Sequence, residues 1–142
     1  MPEKLSPRLA AVVDALPLKR GLRVLEIGCG PGAAAREVAR RVGPTGHVLA
    51  IDRSSKAIAQ ASAASADLIA TGVLSFRQSA IETFALAADE APFDLAFAIR
   101  VGALDGRHPD LEQQARQRIA HALSPGGRLF IDGGDPLRTL DL

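Results

Sequence analysis

The chain contains no tryptophan and no tyrosine, and only five phenylalanines, one methionine and one cysteine. With so few rings, any acceptor pocket it builds has little aromatic wall against which a flat molecule can stack. The single Cys29 rules out an internal disulfide and any cluster of cysteine metal ligands, which suits a reducing cytoplasm. No apolar run is long enough to cross a bilayer and no signal-type hydrophobic stretch follows Met1, so a cytoplasmic protein without membrane attachment is expected. Runs of like charge are missing too: 17 Lys plus Arg stand against 16 Asp plus Glu, a net charge of +1. No nucleic-acid partner is evident from that balance.

What is present is an ordinary globular composition, 47% apolar and 23% charged over 142 residues. The whole of 1–142 reads as a single domain, large enough for one core, without repeats or low-complexity linkers. The informative stretch is Val24 to Gly32, Val-Leu-Glu-Ile-Gly-Cys-Gly-Pro-Gly. Val24, Leu25 and Ile27 favour a strand with one acid, Glu26, set into it, and the strand stops in a glycine turn. From Pro31 to Val42, apolar Ala34, Ala35, Val38, Ala39 and Val42 recur at helical spacing with Arg36, Glu37, Arg40 and Arg41 between them. Strand, glycine turn and helix form the order a nucleotide-type site needs: glycine lets a ligand approach the main chain, and a helix N-terminus offers unpaired N–H groups. The spacing is G-x-G-x-G at Gly28, Gly30 and Gly32, one residue tighter than the G-x-G-x-x-G of dinucleotide proteins, and no P-loop pattern occurs.

This stretch resembles motif I of the class I S-adenosylmethionine-dependent methyltransferases, (V/L)-L-(D/E)-(I/V/L)-G-x-G-x-G, at every position from Val24 to Gly32. The rest of the chain supports the same order of elements. A helix is expected over Leu5 to Leu16, strands over Arg23 to Ile27 and His47 to Ile51, an alanine-rich helix over Ser55 to Thr71, and a third strand over Val73 to Arg77. Asp52 closes the second strand. In a parallel sheet wound this way an acid there points along the crevice toward a ribose, whose hydroxyls a carboxylate can accept; the competing role is a helix cap, which Ser54 or Ser55 can also supply. After the third strand, Gln78 to Phe84 resembles the family's G-D-A-E-x-L segment, but the aspartate that meets the adenine amino group falls on Ala80. Backbone at Ala80 and Ile81 would then hold the adenine, at a cost of ~1 kcal/mol in affinity, the net worth of one hydrogen bond. Phe93 to Ala98 resembles the family's fourth strand, expected over Asp94 to Ile99. A helix around Leu111 to Leu123 follows, with Pro109 in its first turn. Leu123 to Ile131 resembles the L-x-P-G-G-x-L-x-I entry to the fifth strand.

The resemblance implies a Rossmann-like, doubly wound α/β/α fold with about five parallel strands in the order 3-2-1-4-5, and S-adenosylmethionine as cofactor. Carried over by motif, Glu26 faces the cofactor's amino-acid part, Gly28, Cys29 and Gly30 offer backbone to it, Asp52 takes the ribose, Arg53 and Ile81 the adenine faces, and the Arg100 main chain the amino group. No catalytic base is assigned. His108, before Pro109, and Asp105 are candidates for which helix capping and turn formation serve equally, and Cys29 reads as packing rather than as a nucleophile. The family usually continues beyond the fifth strand, whereas this sequence stops soon after Gly133. That predicts an open edge, covered by the tail Gly134 to Leu142 or by a second protomer in a homodimer. The acceptor is a small molecule of unspecified kind. The alternatives are a nucleoside-binding module or partner subunit without transfer activity, favoured by Ala80, and a nicotinamide oxidoreductase, disfavoured by the glycine spacing.

Overall fold

The computed structural model describes residues 3–142. Six strands form one sheet in the order β3-β2-β1-β4-β5-β6. Of these, β1 (Arg23–Ile27), β2 (His47–Asp52), β3 (Leu74–Gln78), β4 (Phe93–Ala98) and β5 (Leu123–Asp132) are parallel, as expected, and β6 (Leu137–Leu140) is antiparallel to β5. Both faces of the parallel part are covered, which is why the central strands read as nearly unbroken apolar runs. On one face Val24, Val48, Ala50, Leu95 and Phe97 pack against Val13 of α1 (Pro7–Ala15) and Val38, Ala39 and Val42 of α2 (Ala33–Val42). On the other, Leu25, Ile27, Leu49, Ile51, Ala96 and Ala98 meet Ala115, Ile119 and Ala122 of α5 (Pro109–Ala122). Glu26 is the exception, a carboxyl within the buried stretch Val24 to Ile27 of β1.

Three expectations change. The single helix expected over Ser55 to Thr71 is two, α3 (Ser55–Ala63) and α4 (Ala66–Ala70). The break falls at Ser65, whose hydroxyl is buried, donates back to the Ala61 carbonyl at 2.7 Å and accepts from Arg36 Nη1 at 3.1 Å. A serine that bonds backward in this way bends or ends a helix. The Pro-Gly-Gly entry to β5 lies within the strand: Phe93 pairs with Leu123 and Leu95 with Arg128, so Ser124 to Gly127 bulge opposite Asp94, with Gly126 at φ 81°.

The third change is the edge. Residues Leu137 to Leu140, which carry no clear strand signal, pair with Asp132 to Leu129. The tail thus covers the fifth strand, as one of the two expected arrangements had it. The fifth-strand edge proposed for a homodimer is not exposed, because its hydrogen-bonding groups are already paired within the chain.

Candidate functional site

The glycine turn joins β1 to α2 with Gly28, Gly30 and Gly32 at φ 71°, 53° and 89°, a left-handed series that side chains resist. Its N–H groups are all engaged. Gly28 and Cys29 both donate to the Ile51 carbonyl, at 2.8 and 3.0 Å; Gly30 donates to Asp52 Oδ2 at 2.9 Å; Gly32 donates to the Cys29 carbonyl at 3.0 Å. Pro31 has none. What the turn itself offers a ligand is therefore carbonyl oxygen and close approach. A pyrophosphate, which needs donors, finds none from Gly28 to Gly32. An ammonium, which needs acceptors, is the better match.

Asp52 ends β2 beside this turn. Its Oδ1 accepts from Ser54 N at 2.9 Å and its Oδ2 from Gly30 N, so the carboxylate is fixed on both sides while each oxygen keeps a further lone pair. Of the capping role, Asp52 takes only a part: it steadies the entry to α3 through Ser54 N, while the side-chain cap is Ser54, whose hydroxyl accepts from Ala57 N at 3.1 Å. Asp52 lines a cavity of about 240 Å³ at the carboxyl ends of the strands, together with Gly28, Arg53, Ala80, Ile81 and Arg100. Ser79, Glu82, Val101, Gly102, Arg107, His108 and Leu111 complete it. Six of the nine expected binding residues thus share one cavity.

The other three, Glu26, Cys29 and Gly30, do not line it. Glu26 is 3% exposed, and its Oε1 has no hydrogen-bond partner among the described residues. Burial raises its carboxyl to about 8, the nearby Asp52 charge adds to the rise, and Arg36 opposes it. Burial, with Glu26 and Asp52 close by, likewise pushes the Cys29 thiol up to about 12. A thiol held so far from its thiolate does not act as a nucleophile, in line with the packing role expected of it. Arg36, buried on α2, donates to Glu3 through Nε and Nη2, to the Pro31 carbonyl at 2.9 Å and to Ser65. The sequence held no sign of this clasp between the N-terminal segment, the glycine turn and the break before α4, since Arg36 reads as one more charge on an amphipathic helix.

The exit of β4 forms the opposite wall. Arg100 sits at φ 57°, the only described residue other than glycine in the left-handed region. Its N–H donates to Asp132 Oδ1 at 3.0 Å, and Asp132 Oδ2 accepts from Arg8 at 3.3 Å. Val101 then lies over Gly28 so closely that a Cβ there would stand 2.8 Å from Val101 Cγ2. The loop closes on itself: His108 N donates to the Gly102 carbonyl at 2.9 Å, and its ring rests where a Gly102 side chain would be. His108 begins α5 without capping it through its side chain. Arg107, not anticipated as a site residue, donates to the Arg100 carbonyl at 2.6 Å and to Asp105 at 2.9 Å. That pairing holds the Asp105 carboxyl below its usual range, and Asp105 takes the turn role expected of it.

The set of groups fits S-adenosylmethionine. An orphaned buried carboxyl lies under a turn that presents acceptors, and a fixed carboxylate stands in the cavity beside it. Among the described residues no group of His, Cys, Asp and Glu forms a metal site, and no helix is long and apolar enough to cross a membrane.

A family model described as a methyltransferase domain matches residues 18–140. The nocamycin O-methyltransferase of Saccharothrix syringae is 36% identical over 133 residues, which are 94% of this chain and 44% of that protein. A ubiquinone biosynthesis O-methyltransferase of Xylella fastidiosa is 36% identical over 125 residues, 87% of this chain and 46% of its own length. Among solved structures, an S-adenosylmethionine-dependent methyltransferase from Mesorhizobium loti superposes with a TM-score of 0.69 at 26% identity, over 89% of this chain and 53% of that one. The chain spans about half the length, or less, of these curated relatives.

Proposed function

The chain belongs to the methyltransferase-domain family, and from that premise we propose that it is an S-adenosylmethionine-dependent methyltransferase domain acting on a small-molecule acceptor. The observation that carries the reading is Asp52: a carboxylate fixed by two backbone N–H groups at the end of β2, in the cavity, with its remaining lone pairs available to two ribose hydroxyls. Arg53 and Ile81 serve the adenine faces and the Ala80 backbone its edge. The carbonyls of Gly28, Cys29 and Gly30, the Arg100 carbonyl and the Glu26 carboxyl are assigned to the cofactor's amino-acid end. Residues 1–142 are taken as one domain, and the unpaired, buried Cys29 favours the reducing cytoplasm.

When bound, the cofactor supplies a methyl group on a sulfonium, an electrophile whose leaving group is already good. What this chain contributes is position. Gly28, lacking a Cβ, and Val101 above it shape the space at the centre of the sheet's carboxyl edge, and the loop closed by His108 forms one side of it. Holding two reactants in line supplies most of the acceleration such a displacement needs.

Calorimetry with S-adenosylhomocysteine, S-adenosylmethionine and NAD tests the class. The methyltransferase reading expects the first two to bind and NAD not to; binding of NAD alone would overturn it. Cofactor binding without methyl uptake by any component of a cell extract would favour a nucleoside-binding module instead. Asp52→Ala should weaken S-adenosylhomocysteine binding by about 1.5–3 kcal/mol, the worth of hydrogen bonds to a charged acceptor. An unchanged dissociation constant in a folded variant would remove Asp52 from the site.

A further inference from the structure

Among the described residues Arg100 alone, apart from glycines, has a left-handed backbone, at φ 57°. In that region Cβ crowds a carbonyl oxygen, and the conformation persists only where its surroundings over-determine it. Both ends of Arg100 are held in this way. Its N–H donates to Asp132 Oδ1 at 3.0 Å, and its carbonyl accepts from Arg107 Nη2 at 2.6 Å. The sheet register explains the first bond: Ala98 of β4 lies opposite Ile131 of β5, so the next residue, Asp132, stands beside the chain as it leaves β4. Asp132 is itself steadied by Arg8 of α1, whose Nη2 donates to Oδ2 at 3.3 Å. Beyond Arg100 the path is fixed as well. The Val101 carbonyl accepts from Leu104 N and Asp105 N, both at 3.0 Å, and the Val101 side chain lies over Gly28. The turn at Arg100 therefore sets both the aim of its own carbonyl and the seat of Val101 above the glycine turn.

We propose that Asp132, which does not line the cavity, is a positioning residue for the cofactor: its bond to the Arg100 N–H holds that residue left-handed and so keeps the Arg100 carbonyl and Val101 in place at the ligand's amino-acid end. The proposal rests on the methyltransferase reading, in which the Arg100 carbonyl meets the cofactor's ammonium. A carbonyl has two lone pairs, so the bond from Arg107 leaves one for that ammonium. Because Asp132 acts on main chain, the role needs an acceptor oxygen at that place; its charge serves only Arg8. Strain of this kind has a signature. Glycine takes a positive φ without steric cost, so with glycine at position 100 the clamp is no longer needed. No such compensation is expected if Asp132 merely ties α1 to the end of β5.

Calorimetry with S-adenosylhomocysteine and with 5′-methylthioadenosine, which lacks the amino-acid end, provides the test. Asp132→Ala should weaken S-adenosylhomocysteine binding by about tenfold, the order of one strained residue released, and 5′-methylthioadenosine binding by less than about threefold. Asp132→Asn keeps an acceptor oxygen and loses the charge that Arg8 meets; it should bind both ligands within about threefold of the parent. Arg100→Gly should also stay within about threefold, and adding Asp132→Ala to it should change S-adenosylhomocysteine affinity by no more than that. An unchanged affinity in Asp132→Ala, an equal loss for both ligands, or a loss that persists in the Arg100→Gly background overturns the proposal and leaves the methyltransferase reading standing. Binding by Asp132→Asn as weak as by Asp132→Ala also overturns it, by assigning the effect to the ion pair with Arg8. So does a tenfold loss in Arg100→Gly alone, which would place the arginine side chain on the ligand. If Asp132→Ala alone does not fold, a double variant that folds and binds supports the proposal, and one that also fails to fold overturns it. Failure of the parent protein to bind S-adenosylhomocysteine at all sinks the underlying reading first and this inference with it.

Discussion

Glu26 is a carboxyl set between the apolar Val24, Leu25 and Ile27 of β1, and one of its oxygens has no partner among the described residues. Its effect on stability follows from the direction of its shift. In the unfolded chain it ionises near 4.5; in the fold it keeps its proton up to about 8. Between those values the folded state holds the extra proton, so raising the pH draws the equilibrium toward the unfolded state, and the loss levels off above about 8. Glu26→Leu should therefore be more stable than the parent at pH 9, by at least ~1 kcal/mol, with the advantage shrinking toward pH 4.5. Urea denaturation across that range measures it; a difference independent of pH would show that Glu26 ionises in the fold as it does in water. A residue retained at such a cost suits a binding role, because a cationic group arriving above it supplies the missing partner. The acid itself was legible in the sequence, as a charge set into a strand. That it stands behind the glycine turn instead of in the cavity depends on the pleat, which puts Glu26 on the α2 side with Val24.

Between elements, the decisive contact is the approach of the β4 exit to the glycine turn. β1 and β4 pair in parallel from Val24 opposite Leu95 to Ile27 opposite Ala98, which carries Val101 directly over Gly28. Gly28→Ala meets two penalties there, a positive φ of 71° and a methyl 2.8 Å from Val101 Cγ2, with little room for either to relax. The expected result is a loss of about 1–3 kcal/mol in stability, together with at least tenfold weaker S-adenosylhomocysteine binding, checked by thermal unfolding and calorimetry. A variant that melts and binds like the parent would mean that the two loops are not held against each other. Motif order alone placed both loops at one edge of the sheet. It did not anticipate Arg107 and its bond to the Arg100 carbonyl, because an Asp-Gly-Arg turn signals only that the chain reverses. The α3–α4 break escaped for a similar reason: Ser65 ends the helix for a hydrogen bond with Arg36, distant in sequence.

For the molecule as a whole, stability rests on two apolar layers that share one sheet. Phe97, at the centre of β4 and fully buried, packs in the layer with α2 while its neighbours Ala96 and Ala98 face α5. Phe97→Ala should cost about 3–5 kcal/mol through lost burial and the cavity left behind. Chemical denaturation reads this directly, and a cost under about 1 kcal/mol would mean that the helices close the gap. The sheet's far side is finished by β6, so β5 carries partners on both edges and the margin lies one strand farther out.

Through its resemblance to a known family the sequence implied the order of the five parallel strands and the class of ligand; by itself it determined the strands, the glycine turn and Asp52 at the end of the second strand. Each of these is written in local terms: periodicity fixes strand or helix, positive-φ positions demand glycine, and an acid at a strand end has a place in the crevice as soon as the sheet is wound. Tertiary structure alone decided which N–H groups of the turn are already engaged, which oxygen of Glu26 is left without a partner, that Arg107 closes on the Arg100 carbonyl, and what covers the fifth strand. Those are contacts between residues far apart in the chain, and they are settled by packing distance, for which no short stretch of sequence carries a signal.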